Sequence, residues 1–230
     1  MTTGELAIVQ GNSPTEPGVD WNETRLAFPE WIGSVAEAVF LIGTERNSDA
    51  IIGASYAPLL QNLNSYEWVP DLISFTADPS QDVLSTSYRV IQLLSNTRIA
   101  ETLPITGAEY GPAYYVAGTS ASGGRILKTA VYNSTGDYPI SVFFDGVDAG
   151  TAATLTVLTA PSGFSEETIG TNVVTKTTTT VIAAEDGSFA FSLPDLSVSI
   201  LEVGGANSTS AAAAAPSANT RRSSRVMKKE

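Results

Sequence analysis

The sequence predicts a mixed fold in which alternating strands and helices are followed by an antiparallel β-sandwich. Over the first hundred residues, short apolar runs alternate with segments of helical spacing, which is the order of elements in an α/β barrel. Beyond about Pro104 the helical spacing ends, and seven short β-rich runs separated by turn residues indicate a sandwich. We therefore assign residues 1–103 to a barrel-type segment, 104–203 to a sandwich and 204–230 to a disordered, Ala/Ser-rich tail.

The barrel-type segment contains two predicted strands, the apolar run at residues 6–9 and the mainly apolar residues 72–75. Pro29 opens a predicted helix in which apolar residues from Trp31 to Ile42 recur at helical spacing. The apolar face of this helix is wide, so we expect it to pack against a sheet.

A second helix is predicted from about residue 80 to residue 94. Asp78 offers a side-chain acceptor and Pro79 follows it, which is the pattern of a helix start. In the sandwich, the predicted strands are residues 113–117, 126–132, 140–144, 154–158, 172–183, 189–193 and 198–203.

The composition limits the chemistry that the chain can perform. Its formal net charge of -12 argues against nucleic acid or an anionic membrane as a partner, whereas a neutral sugar is compatible with it. The sequence has no cysteine and no histidine, which excludes disulfides, thiolate metal sites and mechanisms that need an imidazole. Acid–base chemistry must therefore use carboxylates, tyrosine or lysine, and we expect no cofactor or metal.

Several long segments make the chain similar to the fungal-type α-L-arabinofuranosidases of glycoside hydrolase family 51. The similarity runs from residue 4 to about residue 203. The segments are GELAIVQ at 4–10, WIGSVAEAVFLIG at 31–43, ERN at 45–47, ASYAPLLQN at 54–62, WVPDLISF at 68–75 and STSY at 85–88. The resemblance implies the C-terminal part of such an enzyme, with a partial (β/α)8 barrel, entered at its seventh strand, before the β-sandwich.

The resemblance also implies a retaining hydrolysis of terminal arabinofuranosyl groups in arabinan and arabinoxylan, which needs a nucleophilic carboxylate and an acid/base carboxylate. Glu5 falls at the nucleophile position, although Leu6 stands where the family has tyrosine. The family's acid/base glutamate follows an asparagine on the fourth barrel strand, which lies upstream of this chain. Asn22-Glu23 repeats the dipeptide, but in a loop without a preceding apolar strand.

Other residues admit both a functional and a structural interpretation. Gln61, Asn62 and Trp68 lie where the eighth barrel loop is expected, so they could bind the arabinose ring or serve as a buried amide cap and a core indole. For Glu37 and the pair Glu45-Arg46, a structural ion pair is expected. The pairs Tyr114-Tyr115 and Phe143-Phe144 are expected in the sandwich core or edge, with a carbohydrate platform as the alternative.

The cellular location is predicted from three glycosylation sequons, which begin at Asn22, Asn133 and Asn207. Together with the acidic composition they are typical of a secreted enzyme, although the N-terminus does not have the pattern of a secretory signal. No apolar run reaches the roughly 18 residues of a membrane-spanning helix. We therefore expect the full-length protein to be secreted.

The missing barrel strands have a structural consequence. Two strands of eight cannot close a barrel, so the helix at Trp31 would have no sheet to cover. We expect a fragment that is inactive alone. The alternative function is a non-catalytic sandwich that binds polysaccharide or braces a barrel.

Overall fold

The computed structural model describes residues 2–8, 26–65 and 69–204, which form two helices and thirteen strands. The helices are α1 (Trp31–Arg46) and α2 (Thr86–Asn96). The strands before and between them are β1 (Thr2–Leu6), β2 (Gly53–Tyr56), β3 (Leu60–Asn62), β4 (Ile73–Phe75) and β5 (Val83–Leu84). The remaining strands are β6 (Glu101–Leu103), β7 (Ala113–Thr119), β8 (Arg125–Val131), β9 (Tyr138–Phe143), β10 (Ala152–Thr159), β11 (Thr175–Ile182), β12 (Ser188–Leu193) and β13 (Ser197–Val203).

The second half of the chain forms the predicted antiparallel sandwich, and all seven predicted strands are present. Six strands make one sheet in the order β11-β10-β13-β8-β7-β6, and β12 pairs with β9 to form the facing layer. The sheet begins at β6, three residues before the boundary expected at residue 104. The core between the layers is apolar and includes Leu127, Phe144, Leu155, Phe189 and Leu201.

The six-stranded sheet is covered on both faces, because α1 and α2 pack on the face opposite β9 and β12. Strands β8 and β13 are consequently buried along almost their whole length, instead of alternating between buried and exposed residues. The helix at Trp31 was expected to pack against a sheet, and it does. The expectation that it would have no sheet to cover in a fragment is wrong, because it covers the sandwich sheet. The core it shares with that sheet consists of Trp31, Val35, Ala38, Ile42, Val90, Leu93, Leu94, Val116, Ile126, Ala130, Leu158, Val198 and Ile200.

The start of α1 is held by backbone groups of the sandwich. Glu30 at the N-cap makes no side-chain capping bond. The amides of Trp31 and Ile32 instead donate to the carbonyls of Ser165 and Gly163, each at 2.8 Å, in the loop after β10. Two of the amides that every helix start leaves without an internal partner are thereby satisfied. The Trp31 indole also donates to the Leu196 carbonyl at 2.7 Å.

A buried lysine fixes the other ends of both helices. The Lys128 ammonium on β8 is fully buried and donates to Glu45 Oε1 at 2.6 Å and to the Leu94 carbonyl at 2.7 Å. Burial lowers the pKa of Lys128, and the carboxylate of Glu45 opposes that shift. Glu45 thus forms the structural ion pair expected for it.

The second helix begins later than predicted. Asp78 does accept a hydrogen bond from the Ser80 amide at 3.0 Å, but the turn that follows is a short 3₁₀ segment, Pro79–Gln81. Val83, which is buried, then begins β5, and this strand pairs with β4. The helix starts only at Thr86, where the Ser85 hydroxyl accepts a hydrogen bond from the Tyr88 amide at 3.2 Å.

The first half of the chain also contains two short parallel pairings. Strand β1, expected at residues 6–9, spans Thr2–Leu6 and pairs with β2, whereas β3 pairs with β4. The predicted tail beyond Gly204 lies outside the described residues. Neither of the two helices in the described ranges is long and apolar enough to cross a membrane.

Removal of the Trp31 side chain should strongly destabilise the protein. Trp31→Ala leaves a cavity at the helix–sheet contact and an unpaired Leu196 carbonyl, so we expect a loss of about 3–5 kcal/mol in the free energy of unfolding. Urea unfolding followed by far-UV circular dichroism measures this loss. The control is Phe40→Ala on the same helix, at a side chain that is 46% exposed, where we expect less than about 1 kcal/mol. Equal losses in the two variants would contradict the packing described.

Candidate functional site

Glu5 lies on β1 with its side chain exposed. In the parallel pairing with β2, Glu5 is opposite Ser55 and Leu6 is opposite Tyr56. The Ala57 amide extends this pairing by donating to the Leu6 carbonyl at 3.3 Å. A carboxylate on an ordered strand and open to solvent can approach a substrate, which a nucleophile requires.

The two described candidates for sugar binding differ in their surroundings. Gln61, in the middle of β3, is only 6% exposed, and neither atom of its amide has a hydrogen-bond partner among the described residues. Asn62 at the end of β3 is exposed, and its Oδ1 accepts from the Asn64 amide at 3.0 Å. No hydrogen bond within the described ranges joins either residue to Glu5. Trp68 lies outside those ranges.

A buried polar cluster, which the sequence interpretation missed, lies between α1, α2 and the short strands. Glu37 Oε1 accepts a hydrogen bond from the Ile8 amide at 2.8 Å. The Ser34 hydroxyl is 2.8 Å from that of Thr86 and 2.9 Å from that of Ser87. Thr86 donates to the Pro29 carbonyl at 2.7 Å. The cluster therefore ties α1, α2 and the chain after β1 to one another.

Burial controls the ionisation of this cluster. It raises the pKa of Glu37 from 4.5 to about 7, against the opposing influence of the Ser87 hydroxyl and the Ile8 amide. Burial also raises the pKa of Asp71, which precedes β4, from 3.8 to about 7. For Tyr56 the pKa rises because of burial first and the charge of Glu37 second. Glu37 does not form the ion pair expected for it, since neither ion pair of the described residues includes it.

The tyrosines of β7 belong to an aromatic group on the sandwich. The Arg46 guanidinium lies 4.4 Å from the ring centre of Tyr110 and 5.2 Å from that of Tyr115. Tyr110 meets Tyr114 edge to face at 5.1 Å and is 44% exposed. Tyr114 and Tyr115 are half-buried, as the structural interpretation expected. Arg46 is in neither ion pair of the described residues, and its guanidinium stacks on the rings of Tyr110 and Tyr115 instead. Of the second pair, Phe144 is in the core and Phe143 is exposed.

The remaining candidates concern glycosylation and metals. Asn133 is exposed in the turn after β8 and has a φ of 65°, a conformation that asparagine tolerates well. Asn22, Glu23 and Asn207 lie outside the described residues. Within the described ranges, no three His, Cys, Asp or Glu side chains form a group that could hold a metal ion.

Comparison with known proteins extends these observations. Residues 16–197 match the model of the α-L-arabinofuranosidase C-terminal domain. An α-L-arabinofuranosidase A of Aspergillus niger is 41% identical over 186 residues, which are 79% of this chain and 28% of the relative. A probable α-L-arabinofuranosidase A of Aspergillus terreus is 40% identical over 185 residues, with the same coverage. The chain thus spans just over a quarter of the length of these relatives.

Solved structures give the same result. An arabinose-bound GH51 α-L-arabinofuranosidase superimposes with a TM-score of 0.72 at 30% identity, over 87% of this chain and 31% of that one. The Thermotoga maritima α-L-arabinofuranosidase, at 18% identity, shares the fold with a TM-score of 0.62 over 76% of this chain and 38% of that one. The chain therefore belongs to the α-L-arabinofuranosidase C-terminal domain family and corresponds to the C-terminal part of the fungal GH51 enzymes.

Proposed function

We propose that this chain is the C-terminal part of a retaining α-L-arabinofuranosidase that releases terminal arabinofuranosyl groups from arabinan and arabinoxylan. The observation that carries the proposal is the position of Glu5, which is exposed on a strand paired in parallel with β2. The relatives of the chain are named as α-L-arabinofuranosidases, and one related structure holds arabinose. In this proposal β1 to β4 and the two helices are the end of a (β/α)8 barrel.

In the proposed reaction the Glu5 carboxylate attacks the anomeric carbon of the arabinofuranosyl group. The bond from that carbon to the leaving oxygen breaks while an acid protonates the oxygen, and a glycosyl ester forms on Glu5. The same acid then acts as a base on the water that hydrolyses the ester. Retention of the configuration at the anomeric carbon requires this second carboxyl group to lie roughly 5–5.5 Å from the first. Glu37 is buried and receives the Ile8 amide, so we do not assign it this role. In this proposal the acid/base is the glutamate that the family carries on its fourth barrel strand.

The described part of the site suits a neutral sugar. Gln61 offers both an amide donor and an acceptor without partners among the described residues, and Asn62 stands exposed next to it. Paired donors and acceptors are what the hydroxyl groups of a furanose need. We therefore propose Gln61, Asn62 and Trp68 as substrate-binding residues. For the full-length protein we propose a secreted, glycosylated form, with Asn133 as an exposed acceptor.

The isolated chain should not hydrolyse an aryl α-L-arabinofuranoside. One carboxylate can supply a nucleophile but cannot also protonate the leaving group. Release of nitrophenol by the purified 230-residue chain should equal that of buffer. A measurable turnover that disappears in Glu5→Ala would contradict this expectation and make the chain a complete enzyme.

The role of Glu5 can be tested where the rest of a barrel is present. In a chimera, this chain replaces the matching segment of the Aspergillus niger α-L-arabinofuranosidase A. We expect Glu5→Gln to lower kcat by at least about 10³-fold, because the amide cannot form the glycosyl ester. The matched control is Glu101→Gln at an exposed carboxylate on β6. An active chimera that keeps its activity with Glu5→Gln would refute the nucleophile assignment.

The second candidate function is a non-catalytic sandwich that binds polysaccharide, and the exposed Tyr110 ring beside Arg46 is the observation that favours it. We propose instead that the sandwich braces the helices, since it shares a core with both. The chain should therefore not be retained on insoluble arabinan. Binding to arabinan that is lost in Tyr110→Ala, or in the double variant of Tyr114 and Tyr115 to alanine, but kept in Phe164→Ala, at an exposed ring in the loop after β10, would favour the binding function.

A further inference from the structure

The chain directly after β1 is gripped by one face of α1. The side chain of Ile8 lies over Gly33, so closely that a Cβ atom at Gly33 would be 2.6 Å from Ile8 Cγ2. The amide of Ile8 donates to Glu37 Oε1 at 2.8 Å. Gly33 and Glu37 are four residues apart and therefore neighbours on the helix surface. Both the side chain and the backbone of Ile8 are thus held by adjacent helix positions.

Helix α1, which holds Ile8, is itself fixed by its other contacts. The opposite side of α1 is embedded in the core of the six-stranded sheet through Trp31, Val35 and Ile42. Close to Glu37, the Ser34 hydroxyl is linked to Thr86 and Ser87 at the start of α2. A carboxylate on such a support has little freedom to follow a moving strand, so it fixes the strand instead.

We propose that Glu37 is a positioning residue, which receives the Ile8 amide and thereby holds the strand that carries Glu5 in place against α1. The effect of this contact on catalysis rests on the proposed function of Glu5. The contact itself, in which Gly33 and Glu37 hold Ile8 and which we call the latch, does not rest on it. Only Leu6 and Ala7 separate Glu5 from Ile8, so a shift of Ile8 is transmitted to Glu5 through a short stretch of backbone.

The latch depends on protonation. Within the part of the chain that the structure describes, the titratable group that faces Glu37 is Tyr56 on β2, whose pKa is also influenced by Asp71. The Ser87 hydroxyl on α2, the Ile8 amide directly after β1 and the Tyr56 hydroxyl on β2 each lower the pKa of Glu37, and within the described ranges it has no cationic partner. When the strand opens and Glu37 meets water, its pKa of about 7 returns towards 4.5. The closed form binds more protons between these values, so the closed state loses stability as pH rises through about 7.

Hydrogen exchange of the full 230-residue chain, measured by mass spectrometry, tests the latch without any assay of activity. The readout is the protection factor of the peptide covering residues 2–8, normalised for intrinsic exchange, with the β8 peptide 125–131 as internal reference. Protection of residues 2–8 should fall by up to roughly 70-fold between pH 5 and pH 8 in the unaltered chain. Glu37→Gln keeps an acceptor for the Ile8 amide but cannot ionise, so its protection should change with pH several-fold less.

Two further variants remove the contacts that form the latch. Glu37→Leu deletes the acceptor and Gly33→Ala places a Cβ atom against Ile8, so each should lower protection of residues 2–8 at least tenfold at pH 5 while the β8 peptide stays protected. Unchanged protection in Glu37→Leu and Gly33→Ala, the same pH dependence in Glu37→Gln, or no protection in the unaltered chain would each overturn the proposal. A failed nucleophile test with intact latch behaviour would refute only the role of Glu5.

Discussion

Helix α1 is packed on two sides, and this double packing connects the sandwich to the strand that carries Glu5. On one side, Trp31 and Val35 are fully buried against the six-stranded sheet. On the other, Gly33 and Glu37 hold Ile8. A helix that is apolar on nearly every face must be covered on nearly every face. The sandwich therefore does more than follow the barrel-type segment in the sequence, because it supplies one of the two surfaces without which α1 would not be stable.

Strand patterns and helix spacing predicted most of this fold from the sequence. The sandwich strands were found because turn residues separate them at regular intervals, and α1 because its apolar residues keep helical spacing from Trp31 to Ile42. The start of α2 was missed because Asp78-Pro79 suits a 3₁₀ turn as well as an α-helix. The burial of Val83 and its pairing with β4 decide between the two, and both are tertiary contacts. The surface that covers α1 is likewise set by tertiary contacts.

The site was predictable only in part. Glu5 was assigned to the nucleophile position through resemblance, since a single glutamate near the start of a sequence carries no local signal of catalysis, and this assignment stays a prediction. For Glu37, which lies on a predicted helix, a structural ion pair was expected. Its actual partner, Ile8, is 29 positions away in the sequence. The available signal was the combination of Gly33, Ser34 and Glu37 among the otherwise apolar residues from Trp31 to Ile42, which marks a face that meets backbone and polar atoms.

The buried ionisable groups on the two faces of α1 differ, because one has a partner of opposite charge and the other has none among the described residues. Lys128, on the sandwich side, meets the carboxylate of Glu45 and a backbone carbonyl, so its charge is compensated. Glu37, on the strand side, has no cationic partner within the described ranges, and burial raises its pKa to about 7 although the Ile8 amide and nearby hydroxyl groups oppose that rise. An apolar residue at position 37 would avoid this desolvation but would leave the Ile8 amide unpaired. Because desolvation opposes stability while the hydrogen bond fixes the strand, the carboxyl group at this position serves the placement of the strand rather than the stability of the fold.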